Sequence, residues 1–223
     1  MNLQENYKTV QQMVAQATSQ TGRPNQSVHV VAVTKYVDSS IAKSLVDEGV
    51  QHIGENRVDK FLEKYEALKS KPITWHLIGN LQRRKVKDVI NQVDYFHALD
   101  SVKLAEEIQK RATRPINCFL EVNISGEESK HGFLLSEIEE ALVQMEKLDR
   151  VRLVGLMTMA PLGASKEELH HIFSTAKEWQ TELVSRQIPN MPFTELSMGM
   201  SGDFEEAIAN GATYVRIGTA FFK

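Results

Sequence analysis

Lys35 closes the apolar run Val28-His29-Val30-Val31-Ala32-Val33-Thr34, the first clear strand pattern of the chain. A strand apolar on both faces belongs in a parallel sheet. Folds built on such sheets place their chemistry at the carboxyl ends of the strands. A lysine there has two readings. Its amine, partly desolvated, loses basicity and serves as a Schiff-base nucleophile. Alternatively, its stem snorkels and the amine reaches water as the strand ends. The far end of the chain bears on the choice. Two loops, Met198-Gly199-Met200-Ser201-Gly202-Asp203 and Gly218-Thr219-Ala220, combine glycines with hydroxyls. Glycine lets backbone approach a phosphate closely, and Ser201 and Thr219 can donate to it. Ser201 and Gly202 also directly precede a predicted helix, whose first turn has free N–H groups for an anion.

Arg216 lies inside the last strand pattern, on the same face as Tyr214 and Gly218. Pointing inward, it needs an anionic partner, because burying an unpaired charge is costly. That partner is either a core carboxylate such as Glu121 or Glu195, or a ligand. Other residues speak for less. Cys118 is the sole cysteine, so no internal disulfide can form, and its apolar setting suits a buried hydrophobe. The seven histidines include His29, His52, His76 and His97 in or at strands. No carboxylate or cysteine spacing accompanies them, and His170 and His171 are poorly placed to face one ion, so no metal site is expected. Arg83-Arg84-Lys85-Val86-Lys87 reads as a solvated face near the mouth of the fold that steers anions at most. Lys130-His131-Gly132-Phe133 reads as a loop over that mouth.

The elements that must position these groups alternate. A polar helix from Leu3 to Ser19 comes first and ends at Thr21-Gly22-Arg23-Pro24. Strands are predicted at Val28–Thr34, Gln51–Gly54, Thr74–Ile78, Tyr95–Leu99, Ile116–Ile124, Arg152–Met159, Thr194–Met198 and Tyr214–Ile217. Helices are predicted between each pair. Ser39 or Ser40 caps the first of these, Asp100 or Ser101 another, and Asp203 with Glu206 forms a capping box before Gly211. Eight strands separated by helices imply a parallel sheet with right-handed crossovers. Over 223 residues without a linker, this predicts one α/β domain spanning residues 1–223. The architecture is a (β/α)8 TIM barrel with one extra N-terminal helix, an open doubly wound sheet being the alternative. Closure would make the first strand the neighbour of the eighth and bring Lys35 beside Gly218 and Thr219.

With 42% hydrophobic and 25% charged residues, the composition is that of an ordinary soluble domain. A net charge of −3 argues against a nucleic-acid coat. The start lacks the layout of a signal peptide and no apolar stretch spans a bilayer, so a cytoplasmic location is expected.

Val-Ala-Val-Thr-Lys35, Gly54-Glu55-Asn56-Arg57 and Trp75-His76-Leu77-Ile78-Gly79-Asn80-Leu81-Gln82 form the first half of a longer pattern. Gly155-Leu156-Met157-Thr158-Met159, Ser197-Met198-Gly199-Met200-Ser201-Gly202-Asp203 and Val215-Arg216-Ile217-Gly218-Thr219-Ala220 complete it. With these motifs the chain resembles, nearly end to end, the pyridoxal phosphate homeostasis family, also called the proline-synthetase co-transcribed family. The resemblance implies the barrel of the alanine racemase N-terminal domain and bound pyridoxal 5′-phosphate (PLP). Lys35 would form the internal aldimine. Ser201, Gly202, Gly218 and Thr219 would hold the phosphate, and Arg216 would face the pyridine nitrogen. Asn56, His76, Met157 and Met198 would lie near the cofactor or form its walls.

The resemblance also implies a limit. An arginine opposite the ring nitrogen disfavours its protonation, which makes the ring a poorer electron sink. Racemases of this type add a tyrosine base from a separate β-domain, which is expected to be absent from a chain ending at Lys223. No tyrosine follows Lys35 by four positions, and Tyr36 is expected on the opposite face. The expectation is a monomeric, non-catalytic PLP carrier or regulator in vitamin B6 balance. PLP-dependent apoenzymes would be acceptors, and amino-acid and keto-acid levels would follow indirectly. The alternatives are a small PLP-dependent racemase, with His76 or Tyr36 as its second acid/base, and a class I aldolase-like Schiff-base enzyme.

Overall fold

The computed structural model describes residues 1–128 and 130–223, and in it eight parallel strands close into a barrel in chain order. The strands are β1 (His29–Val33), β2 (His52–Glu55), β3 (Thr74–Leu77), β4 (Tyr95–Leu99), β5 (Ile116–Glu121), β6 (Val151–Met157), β7 (Glu195–Met200) and β8 (Tyr214–Ile217). The helices are α1 (Leu3–Gln20), α2 (Ser39–Asp47), α3 (Val58–Leu68), α4 (Val86–Val89), α5 (Val102–Arg111), α6 (Ile138–Met145), α7 (Lys166–Ser185) and α8 (Phe204–Ala209). Closure is made by β1 on β8, with Val31 opposite Arg216 and Ala32 opposite Ile217. The extra helix α1 packs against both α8 and α2, and so fills the helix ring at the seam. Asn6 pins it by donating to the carbonyls of Phe221 and Lys223 at 2.9 and 3.0 Å.

Local chemistry accounts for most boundaries. Ser101 caps α5, and its Leu104, Ala105 and Ile108 form one buried stripe. Ser165 and Glu168 form a capping box at α7, the longest helix. Three expectations fail. The N-cap of α2 is Asp38, whose carboxylate reaches the N–H groups of Ser40 and Ile41, so the serines lie inside the helix. The stretch Arg83–Asn91 is a single α-turn flanked by tighter 3-10 turns. Its β-branched Val86, Val89 and Ile90 are poor helix formers, and all three are fully buried. Asp203 makes no capping box, because its carboxylate accepts from the Met200 N–H at 2.7 Å and ties down the loop before α8.

The barrel interior is unlike the usual filling of branched aliphatics. Rings from His29, His52, His76, Tyr95, His97, Phe119 and Tyr214 stack through its centre, with neighbouring centroids 4.4 to 6.3 Å apart. Outside the barrel, the second face of each strand meets the helices through a continuous apolar layer. Among the described residues, no helix is long and apolar enough to cross a membrane.

Candidate cofactor site at the carboxyl ends of the strands

A cavity of about 930 Å³ opens at the carboxyl ends of the strands. Lys35, Asn56, Ser201, Gly202, Arg216, Gly218 and Thr219 all line it. The β1–β8 seam brings the lysine and the last glycine together as barrel closure requires. The approach is close, since a Cβ at Gly218 would sit 3.3 Å from the Val33 carbonyl oxygen. The Gly218 N–H donates to Ser201 Oγ at 3.3 Å, which joins the two glycine loops into one surface.

Lys35 is exposed at the mouth, just beyond β1, which agrees with the second of its two readings, an amine that reaches water as the strand ends. Tyr36 departs from expectation. The chain turns at Thr34, whose carbonyl accepts from the Val37 N–H at 3.2 Å, and strand alternation no longer applies. Tyr36 therefore lines the same cavity, and Lys35 Nζ lies 4.9 Å from its ring centroid, a cation–π contact. The residues just before Lys35 and Asn56 are held from behind. Thr34 Oγ1 donates to Glu55 Oε1 at 2.6 Å, and Lys64 Nζ pairs with the same oxygen at 2.6 Å. Glu55 and Lys64 are almost completely buried.

Arg216 is 5% exposed and has no carboxylate within ion-pair distance among the described residues. Its guanidinium donates instead to Ser197 Oγ and, at 3.3 Å, to the Thr158 carbonyl. Burial pulls its pKa down to about 10, while Asp203 and Glu121 act in the opposite direction at longer range. Glu121, foreseen only as an ion-pair partner, is a cavity residue. It is 3% exposed, and its Oε2 has no hydrogen-bond partner among the described residues. Burial, with Asp100 adding to it, pushes its pKa up to about 7, and Arg216 only partly offsets this. Asp203 is also raised, by burial. Cys118 lies buried in β5, and burial pushes its thiol up, as suits an inert core residue.

Three expected wall residues do not line the cavity. His76 is fully buried at the barrel centre, between His52 and His97. Met157 is packed in β6 opposite Glu121 and Ser197, 1% exposed. Met198 follows the inward Ser197, so alternation turns it to the helix layer. Met159 and Met200 line the cavity in their place. The segment Met159–Ala164 after β6 forms one wall, signalled in the sequence only by Pro161 and Gly163. Lys130 is at the mouth as expected and donates to the Met159 carbonyl at 3.3 Å. The basic stretch at Arg83 does not line the cavity.

Fold and site together define a (β/α)8 barrel of the alanine racemase N-terminal type, with a strand-end lysine facing two glycine loops. The family model described as alanine racemase, N-terminal domain, matches residues 1–223. A protein of Aquifex aeolicus named pyridoxal phosphate homeostasis protein is 38% identical over 225 residues, which covers 100% of this chain and 98% of the relative. The structure of PipY from Synechococcus elongatus with PLP bound superposes with a TM-score of 0.86 at 32% identity, covering 100% of both chains. Alanine racemase from Corynebacterium glutamicum shares the fold, with a TM-score of 0.76 at 12% identity over 98% of this chain and 61% of the racemase. The chain belongs to the pyridoxal phosphate homeostasis protein family, within the alanine racemase N-terminal domain family.

Proposed function

We propose that this protein binds PLP in the strand-end cavity, tethered to Lys35, and serves intracellular PLP balance with little or no turnover of its own. One observation carries the reading: a lysine, two glycine–hydroxyl loops and an arginine without a carboxylate partner share a single cavity. The residues fit the group. At Gly202 an added Cβ would meet nothing within 4 Å, so that loop's backbone is open to a phosphate. The volume of about 930 Å³ lies in the range of small-molecule sites. When bound, PLP supplies an aldehyde that condenses with a primary amine and a ring whose absorbance reports the link.

The chain's own residues have separable roles. Lys35 offers the amine at an open mouth. Ser201, Gly202, Gly218 and Thr219 bind the anionic end, and Asn56 lies near the cofactor at the end of β2. Arg216 offers only donors to the ring nitrogen and accepts no proton from it. A ring held this way is a weak electron sink, which supports a carrier rather than an enzyme. The names of the relatives and the PLP in PipY support the same reading. In it, residues 1–223 are one PLP-binding domain, a cytoplasmic monomer that passes PLP to apoenzymes. Tyr36 beneath the Lys35 ammonium is the observation that favours a racemase.

Borohydride reduction of the PLP-treated protein, followed by peptide mass mapping, is expected to place one pyridoxyl group on the peptide carrying Lys35. Racemisation of L-alanine by the same preparation is expected at the buffer rate. A label on another lysine, or Lys35-dependent racemisation, would contradict the proposal.

A further inference from the structure

Four histidines climb the barrel on consecutive strands, His29 on β1, His52 on β2, His76 on β3 and His97 on β4, each two residues further along than the register partner of the one before. Three of them join one hydrogen-bonded line through the barrel. His52 Nδ1 is 2.9 Å from His76 Nε2, and His76 Nδ1 is 2.8 Å from His97 Nε2. His97 Nδ1 is 2.8 Å from Ser197 Oγ, which accepts from Arg216 Nη1. The line runs from the half-buried His52 at the lower end of the strands to the arginine under the cavity.

Its direction follows from one end. Arginine only donates. The Ser197 hydroxyl, already accepting from Arg216, must send its own proton onward, and His97 Nδ1 is its one acceptor among the described residues. Burial keeps all three rings neutral: it lowers His52 to about 4 and holds His76 and His97 well below the ordinary value, with Arg216 adding to this at His97 and neighbouring imidazoles adding to it at His52 and His76. A neutral ring that accepts at Nδ1 carries its proton on Nε2. His97 therefore donates to His76, and His76 to His52. The reverse order would aim two donors at Ser197 and leave its hydroxyl proton unsatisfied in a dry core, which is unfavourable.

We propose that Ser197, His97, His76 and His52 are positioning residues: a one-way relay of hydrogen bonds that fixes Arg216 and presents its remaining N–H groups to the cavity. The group opposite Arg216 must then be an acceptor, which an unprotonated pyridine nitrogen is. This last step rests on the reading that Arg216 faces the PLP ring.

Long-range ¹H–¹⁵N correlation spectra of PLP-free, ¹⁵N-histidine-labelled full-length protein at pH 7 read the relay without any ligand. All three rings are expected as the Nε2–H tautomer. An Nδ1–H or doubly protonated His76 or His97 overturns the relay, whether or not PLP binds. A PLP titration then reads the link to the site. His76→Phe, which interrupts the line, is expected to weaken PLP binding about tenfold. His76→Gln, whose amide can accept and donate in turn, is expected to restore most of that affinity. Wild-type affinity in His76→Phe, or equal losses in both variants, overturns the link. Nε2–H tautomers in a wild-type protein that takes up no PLP uphold the relay and overturn the cofactor reading instead.

Discussion

Replacing Lys64 with methionine is expected to destabilise the protein by about 3–5 kcal/mol, the usual effect of stripping one partner from a buried ion pair. Lys64 Nζ lies 2.6 Å from Glu55 Oε1, and the two side chains are 1% and 0% exposed. Without the ammonium, the Glu55 carboxylate keeps one donor, the Thr34 hydroxyl, while its Oε2 has no partner among the described residues even in the intact pair. The stem of methionine fills most of the vacated space, so the loss comes from the charge rather than from a cavity. Removing both charges, in Lys64→Met with Glu55→Gln, is expected to recover most of the stability. Urea unfolding of the wild type, the single variant and the double variant measures this directly. A loss in the single variant below about 1 kcal/mol, the range of exposed pairs, would contradict the account. Thr34 and Glu55 directly precede Lys35 and Asn56, so the single variant is also expected to bind PLP more weakly.

Glu121→Gln is expected to stabilise the PLP-free protein at pH 8 and to change it little at pH 4.5. The folded protein holds the Glu121 carboxyl at about 7, against 4.5 ordinarily. The folded state therefore keeps a proton that the unfolded chain releases. That contribution is present in full below about pH 4.5 and is lost as the pH rises through about 7. Above it, the folded protein carries a buried carboxylate, one of whose oxygens has no partner among the described residues. The shift corresponds to about 3 kcal/mol, and glutamine, neutral throughout, avoids it. Unfolding curves of both proteins at the two pH values test the sign. An equal difference at both values would show that ionisation is not the cause.

The barrel was legible in the chain because strand and helix alternate with few ambiguous stretches. Closure followed from the count of eight, and with it the meeting of Lys35, Ser201, Gly202, Arg216, Gly218 and Thr219. Alternation placed Arg216 inward correctly but misled at Tyr36, where a turn at Thr34 ends the period of two. Met157, Met198 and His76 do not line the cavity, because motif membership says nothing about a residue's height or face in a barrel. His76 lies one layer below the cavity, and Met198 is on the outer face. The histidine line was present in the sequence as one inward histidine on each of the first four strands. Read as metal candidates, these residues looked unsupported. Read by strand register, they fall on neighbouring strands where rings can touch.

Lys35 is the residue on which PLP binding is expected to depend. Absorption spectra during a PLP titration, recorded for the wild type and for Lys35→Ala shown by circular dichroism to be folded, test it most directly. A new visible band is expected that saturates in the wild type and is absent from the variant. No band in the wild type with excess PLP, or the same band in Lys35→Ala, would contradict it.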